Sequence, residues 1–339
     1  MKKNLTTVFL FFFILLAIFY DNARLIALNS VNTIEIPVII WKKSVIYDEL
    51  LRGFQYESGY KLDNPEQFDV KFKYYTVNEN TSKSIELFKS LNNPSNRFIV
   101  LIGTGLAIRI LKSEDFKPKT KLVFVGVNNL RADSEFASIL TKFRKDIITL
   151  TYYQKFEEKI NAFAKLFFKP SKIGVLYNPE NEASIFEIPD IRQYCKSHNL
   201  QLIEYPITNK NDVIGFKKKL AELRKKIMGI DLLIVNSGTE LTLNLEALVT
   251  AEFKIPVLVY QKEGLEHNGL FTIWANQFYS GVYLYECIID ILSGRRLFFE
   301  MQPIPDAQNK YRLFVNPSQV KRLNLRFPAQ YVSILNGVK

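Results

Sequence analysis

The stretch RFIVLIGTGLAIRILKSEDFKPKTKLVFVGV, residues 97–127, holds two apolar runs with an amphipathic segment between them. RFIVLIG (97–103) and KLVFVGV (121–127) read as strands apolar on both faces, and GLAIRILKS (105–113) has helical spacing. Strands of this kind need cover above and below, and a helix between them makes the pairing parallel. The same unit recurs in both directions. IEIPVIIW (34–41), FDVKFKYY (68–75), IITLTYY (147–153), KIGVLYN (172–178), LQLIEYP (200–206), IDLLIVN (230–236) and IPVLVY (255–260) read as further strands. Helices are expected at 44–56, 84–91, 154–168, 182–197, 211–227, 240–253 and 278–294, and the tail from Tyr311 supplies a last strand and a short helix.

That series is too long for one sheet. The expectation is an α/β protein of two Rossmann-like lobes with parallel sheets, joined by crossing hinge strands near Thr149-Leu150-Thr151 and Thr272-Ile273-Trp274. Lobe I would take residues 31–149 plus 275–308, and lobe II residues 150–274 plus 309–339. Ligands of open parallel sheets bind beyond the carboxyl ends of strands, so these ends should converge on an interlobe cleft.

Residues 1–30 are of another kind. Met1-Lys2-Lys3 is a basic start, and Val8 to Tyr20 is wholly apolar. Thirteen helical residues reach only ~20 Å, short of a hydrocarbon core of ~30 Å. A secretory signal is expected, with an uncleaved N-terminal anchor in the inner membrane as the alternative, and a periplasmic or extracytoplasmic location follows.

The 339 residues are 47% hydrophobic and carry a formal charge of +11, much of it in clusters such as Lys217-Lys218-Lys219 and Arg224-Lys225-Lys226, which read as a solvated helix face. No interleaved aromatic–basic pattern points to nucleic acid. His198 and His267 sit in polar surroundings, and Cys195 and Cys287 read as buried apolar residues rather than a bridge. No metal-ligand spacing and no nucleophile elbow is present, and Gly103-Thr104-Gly105 lacks the third glycine of a dinucleotide fingerprint. Neither catalysis nor a cofactor is therefore expected. What remains is a set of strand ends carrying small polar groups, among them Gly103-Thr104-Gly105, Asn128-Asn129, Asn178, Asn236-Ser237-Gly238-Thr239 and Asn276. Such groups hold polar ligand atoms, or else cap the helices that follow.

From about Ile34 to Leu325 the chain resembles the ABC-transporter substrate-binding proteins of the tryptophan/tyrosine type. The resemblance rests on VLYNPENEAS (175–184), LNLEALVTAEFKIPVLV (243–259), GLFTIWANQFYSGVYLYECIIDILSGRR (269–296), LFVNPSQVKRLNL (313–325) and LIGTGLA (101–107). It implies the type I periplasmic-binding-protein fold, a small organic solute clamped between lobes, an ABC permease as membrane partner, and a monomer. Polar ligand contacts are then expected from Thr104, Asn129, Tyr152, Ser237, Thr239 and Asn276, and stacking walls from Trp41, Tyr260 and Trp274. The chain departs from the family at Ser237-Gly238-Thr239 and Asn128-Asn129-Leu130, where two strand-end acids are missing, and at Thr149-Leu150-Thr151-Tyr152, where bulk replaces a glycine. A buried ammonium without a counter-charge is costly, so a neutral or anionic solute is expected rather than an ordinary amino acid. The second reading is a membrane-tethered sensory or protein-interaction ectodomain of the same fold with an altered or lost ligand site. A third, an enzyme such as a glycosyl transferase, lacks the acid-plus-His or metal constellation it would need.

Overall fold

Strand β1 (Asn32–Ile40) opens the first of two sheets, and its apolar residues Ile36, Val38, Ile39 and Ile40 are all buried. The computed structural model describes residues 32–60, 68–114, 116–151, 153–208, 213–301, 311–328 and 330. The leader-like segment and Tyr152 lie outside the described residues. After β1 come α1 (Val45–Tyr60), β2 (Phe68–Thr76), α2 (Thr81–Leu91), β3 (Phe98–Ile102), α3 (Thr104–Leu111), β4 (Lys121–Val127), α4 (Ser134–Lys142) and β5 (Ile147–Thr151). The strands pair in the order β2-β1-β3-β4-β5, every pair parallel.

The second sheet follows α5 (Phe156–Leu166) with β6 (Lys172–Tyr177), α6 (Glu182–Ser197), β7 (Gln201–Pro206), α7 (Val213–Arg224), β8 (Leu232–Val235), α8 (Thr239–Leu243), β9 (Val257–Val259) and β10 (Phe271–Ala275). Helix α9 (Gln277–Leu292) then leaves this sheet and packs on α1 beside the first. Strand β11 (Tyr311–Val315) and α10 (Pro317–Arg322) return to the second sheet, whose order is β11-β10-β9-β8-β6-β7. All its pairs are parallel except β10 with β11.

The alternation around residues 97–127 is thus what sets both sheets. Every residue of β3, β8, β9 and β10 is buried, as strands covered on both faces must be. Helices start where short polar side chains accept the free amides. Asn80 takes Lys83 N, Asp133 takes Glu135 N and Phe136 N, Asn181 takes Ala183 N, and Asn316 takes Ser318 N. Cys195 and Cys287 are free and buried. Among the described residues no helix is long and apolar enough to cross a membrane, and no group of side chains could hold a metal ion.

One of the expected helices fails. The helix expected over 240–253 is a single turn, α8, followed by a 3-10 turn at Leu245–Ala247. Asn244 stops it by donating its side-chain amide to Glu240 O at 2.8 Å, taking a carbonyl that the next turn would use.

Candidate functional site

The carboxyl ends of β1, β3, β6, β8 and β9 face one another across the two sheets. Between them lies an open cleft of about 320 Å³, lined by Trp41, Tyr47, Thr104, Arg109, Asn181, Glu182 and Ser237 among others. Behind it is a small, narrower cavity of about 30 Å³, lined by Tyr153, Lys159, Glu187, Tyr260, Trp274 and Gln277 among others. Ile46, Ser237 and Gln261 border both, so the two spaces are the mouth and the depth of one site.

Gly103-Thr104-Gly105 shapes the mouth. Gly103 precedes α3 with φ at 113°, a conformation that excludes most side chains. A Cβ on Gly105 would lie 2.4 Å from Trp41 Nε1 and 2.8 Å from Glu182 Oε2, so glycine lets the indole and a carboxylate of the opposite lobe close on the helix start. Thr104 does not cap α3; its hydroxyl accepts the Asn128 amide at 3.0 Å and ties the ends of β3 and β4 together. Arg109, on α3, stacks its guanidinium over Trp41 at 5.4 Å and pairs with Glu182 at the start of α6, bridging the lobes.

The depth of the site is organised by Glu187, on α6, which is 2% exposed. Its Oε1 accepts Asn128 Nδ2 of the first lobe at 2.8 Å and Ser237 Oγ of the second at 2.7 Å, and its Oε2 accepts Ser237 N at 3.2 Å. The Asn128 side chain also donates to Ala183 O at 3.1 Å. Helix α6 is pinned for this by Ser184, whose hydroxyl reaches Asn236 Oδ1 at 3.1 Å and Ser237 O at 3.0 Å. The serine that ends VLYNPENEAS therefore locks that helix to the end of β8. Phe186, on the same turn, crosses to the first lobe and meets Phe136 at 5.9 Å between ring centroids.

Lys159, on α5, is 6% exposed and lines the same cavity. Its ammonium donates to Gln154 Oε1 at 3.2 Å and lies 4.4 Å from the Tyr260 ring centroid. Asp190 fixes the start of α5 by accepting Phe156 N at 2.9 Å and the Tyr153 hydroxyl. Burial pushes the Glu187 carboxyl above its ordinary range, against the pull of Ser237, Lys159 and Asn128. Burial likewise pushes Lys159 below its ordinary range, with Glu187 the largest opposing influence.

The residues expected from sequence are distributed unevenly. Trp41, Thr104 and Ser237 line the mouth, while Tyr260 and Trp274 line the depth with Ser237. The Trp274 indole also donates to Glu49 Oε2 of α1 at 3.2 Å, joining the lobes. Asn129 instead lines a separate cavity of about 670 Å³ along β5. Asn276 caps α9 by accepting Tyr279 N at 3.1 Å. Thr239 begins α8, and its side chain, like Tyr152, is outside the described residues. Sequence reasoning missed Glu187 and Lys159, the two charges at the centre. Each stands on the apolar face of its helix, Lys159 with Phe156, Ile160 and Phe163, and Glu187 with Ser184, Ile188 and Ile191. A charge in that register is the signal that was available.

The family model described as "ABC transporter substrate binding protein" matches residues 33–334. The chain belongs to that family. The substrate-binding protein has the two-lobed fold of type I periplasmic binding proteins, and its place in the family makes it a solute-binding protein. It is similar to the ABC domain from Streptococcus pneumonia solved in complex with L-Trp, at 16% identity and a TM-score of 0.66, covering 89% of this chain and 98% of that one. A conserved domain protein from Vibrio cholerae is similar at 15% identity and a TM-score of 0.67, covering 89% and 98%. So is the open, ligand-free form of a substrate binding protein with adhesive properties from Clostridium difficile, at 17% identity and a TM-score of 0.64, covering 87% and 96%. At such identities the likeness is one of fold. No curated protein matches the chain. In this substrate-binding protein a single acid on α6, Glu187, contacts both Asn128 at the end of β4 and Ser237 at the end of β8.

Proposed function

We propose that this is an exported, non-catalytic solute receptor of an ABC uptake system, which clamps a small organic solute between its lobes and presents it to a membrane permease. The observation that carries the reading is the convergence of the ends of β1, β3, β6, β8 and β9 on one interlobe site walled by aromatic rings. Trp41, Thr104, Ser237, Tyr260 and Trp274 are the contacts within that site. Lobe closure uses the crossings after β5 and after β10 as hinges, with Arg109–Glu182 and Asn128–Glu187 forming as the lobes meet.

The family and the cleft favour solute uptake over a tethered ectodomain with a lost site. The chain has only two tryptophans, Trp41 and Trp274, and they line the mouth and the depth of the site. Solute binding to the full chain should therefore change its tryptophan emission and raise its unfolding temperature together. A broad metabolite library screened by both readouts tests this. If no compound moves either, and mass spectrometry of protein from its native host finds no co-purified solute, the proposal is wrong.

A further inference from the structure

The two buried charges of the small inner cavity are unequally satisfied. The Glu187 carboxylate already accepts three hydrogen bonds, from Asn128 Nδ2, Ser237 Oγ and Ser237 N. A carboxylate held this way has little left to offer a ligand ammonium. Lys159 is the opposite case. An ammonium has three donors, and this one makes a single hydrogen bond, to Gln154 at 3.2 Å, while the Tyr260 ring covers another side. It lines the cavity without a direct ion pair among the described residues, and the nearby carboxylates of Glu187, Glu158 and Asp190 offset the cost of its burial only in part.

The cavity suits such an anion in size and position. At about 30 Å³ it exceeds the roughly 10–15 Å³ that one water requires, and so takes a small polar head rather than a ring. The adjoining mouth of about 320 Å³ has Trp41 and Tyr47 on its walls and takes the body of the molecule. Around the mouth, Lys42 is already paired with Glu79 at 2.7 Å and Arg109 with Glu182, so the unspent cation of the site is in its depth.

Resting on the solute-binding reading above, we infer that the small inner cavity is a carboxylate subsite anchored by the Lys159 ammonium, and that the solute is an organic acid with no amino group to be balanced. The head of the solute lies against Lys159 and Gln154, beside Tyr153 and Tyr260, and its body points out past Ser237 and Gln261. Glu187 favours the charged form of Lys159 and joins the lobes, without touching the solute as a counter-ion. The ligand chemistry thereby differs from that of an amino acid, whose ammonium would need an acid still free to receive it.

The test compares head groups on constant bodies. Indole-3-acetate, phenylacetate and 4-methylpentanoate, each with its primary amide and the matching amine, are titrated into the full chain by calorimetry and tryptophan emission. The expected result is that at least one acid binds while its amide and amine bind at least about thirtyfold more weakly, the scale of one buried charge-assisted contact. Lys159→Gln should weaken that acid by a similar factor and leave the amide unchanged. The wild-type comparison of head groups decides the matter even if Lys159→Gln folds poorly. An amide or amine that binds as well as its acid overturns the inference, as does acid affinity unchanged by Lys159→Gln in a folded variant. If none of the acids binds, the co-purified solute decides. A recovered carboxylic acid supports the inference, a recovered amine or neutral compound sinks it while leaving solute binding standing, and recovery of nothing removes both.

Discussion

Replacing Glu187 by leucine is expected to lower the unfolding free energy by about 3–5 kcal/mol, the range for breaking a buried, hydrogen-bonded charge site. The substitution strips the acceptor from Ser237 N and Ser237 Oγ and takes one of two acceptors from Asn128 Nδ2. A buried donor left unpaired costs about 1–3 kcal/mol. It also removes the charge that most favours the ammonium form of Lys159. Lys159→Met in the same chain should restore part of the loss, with a coupling of about 1–3 kcal/mol between the two sites. Glu187→Gln keeps the shape and one acceptor and should cost about a third as much as leucine. Chemical denaturation of wild type, the three single variants (Glu187→Leu, Lys159→Met and Glu187→Gln) and the double variant measures this, and additive effects of the leucine and methionine changes would refute the coupling. The sign of the pH dependence follows from burial holding the folded Glu187 above its ordinary range. The folded state then prefers the protonated acid, so this stabilisation is full below the ordinary carboxyl value and is lost as pH rises through the shifted one. Wild type should accordingly lose stability relative to Glu187→Gln as pH is raised from the carboxyl range through neutrality.

The same site marks how far the sequence could be read. The two sheets were legible because β3, β4 and β8 are apolar on both faces and the segments between them keep helical spacing, signals that each act within ten residues or so. The strand ends were legible for the same reason, and Trp41, Thr104 and Ser237 follow directly from knowing where β1, β3 and β8 stop. The interior of the site was not. Asn128 and Glu187 are 59 residues apart and on different lobes, and no local pattern joins them. Thr104 and Ser237 look like helix caps by position, yet one accepts the Asn128 amide and the other donates to Glu187, because tertiary partners outcompeted the local ones. The overlong helix at 240–253 failed from the opposite cause, a purely local side-chain bond from Asn244 outweighing a plausible apolar spacing.

Gly281→Val should be as damaging as the loss of Glu187, from a position that touches no ligand. Helices α1 and α9 cross so closely that a Cβ on Gly281 would lie 2.0 Å from Leu50 O, and one on Gly53 would lie 1.9 Å from Phe278 O. Both obstacles are backbone atoms, which cannot turn aside as a side chain can, so relief requires the helices to part. They carry Leu50, Phe54, Leu284, Tyr285 and Ile288 into the first core, and parting them exposes all five. The expected loss is about 3 kcal/mol or more, at the upper end for overpacking. Function should fall with it, because α1 also supplies Ile46 and Tyr47 to the site, and α9 follows immediately on Trp274 and Ala275 and supplies Gln277. Gly238→Ala is the control. Its φ of −173° suits any residue and the nearest atom to an added Cβ is 3.5 Å away, so its stability should stay within about 0.5 kcal/mol of wild type. Denaturation midpoints for the two variants separate the accounts. If Gly281→Val unfolds where wild type does, the close crossing of α1 and α9 is not what holds the first lobe to the site.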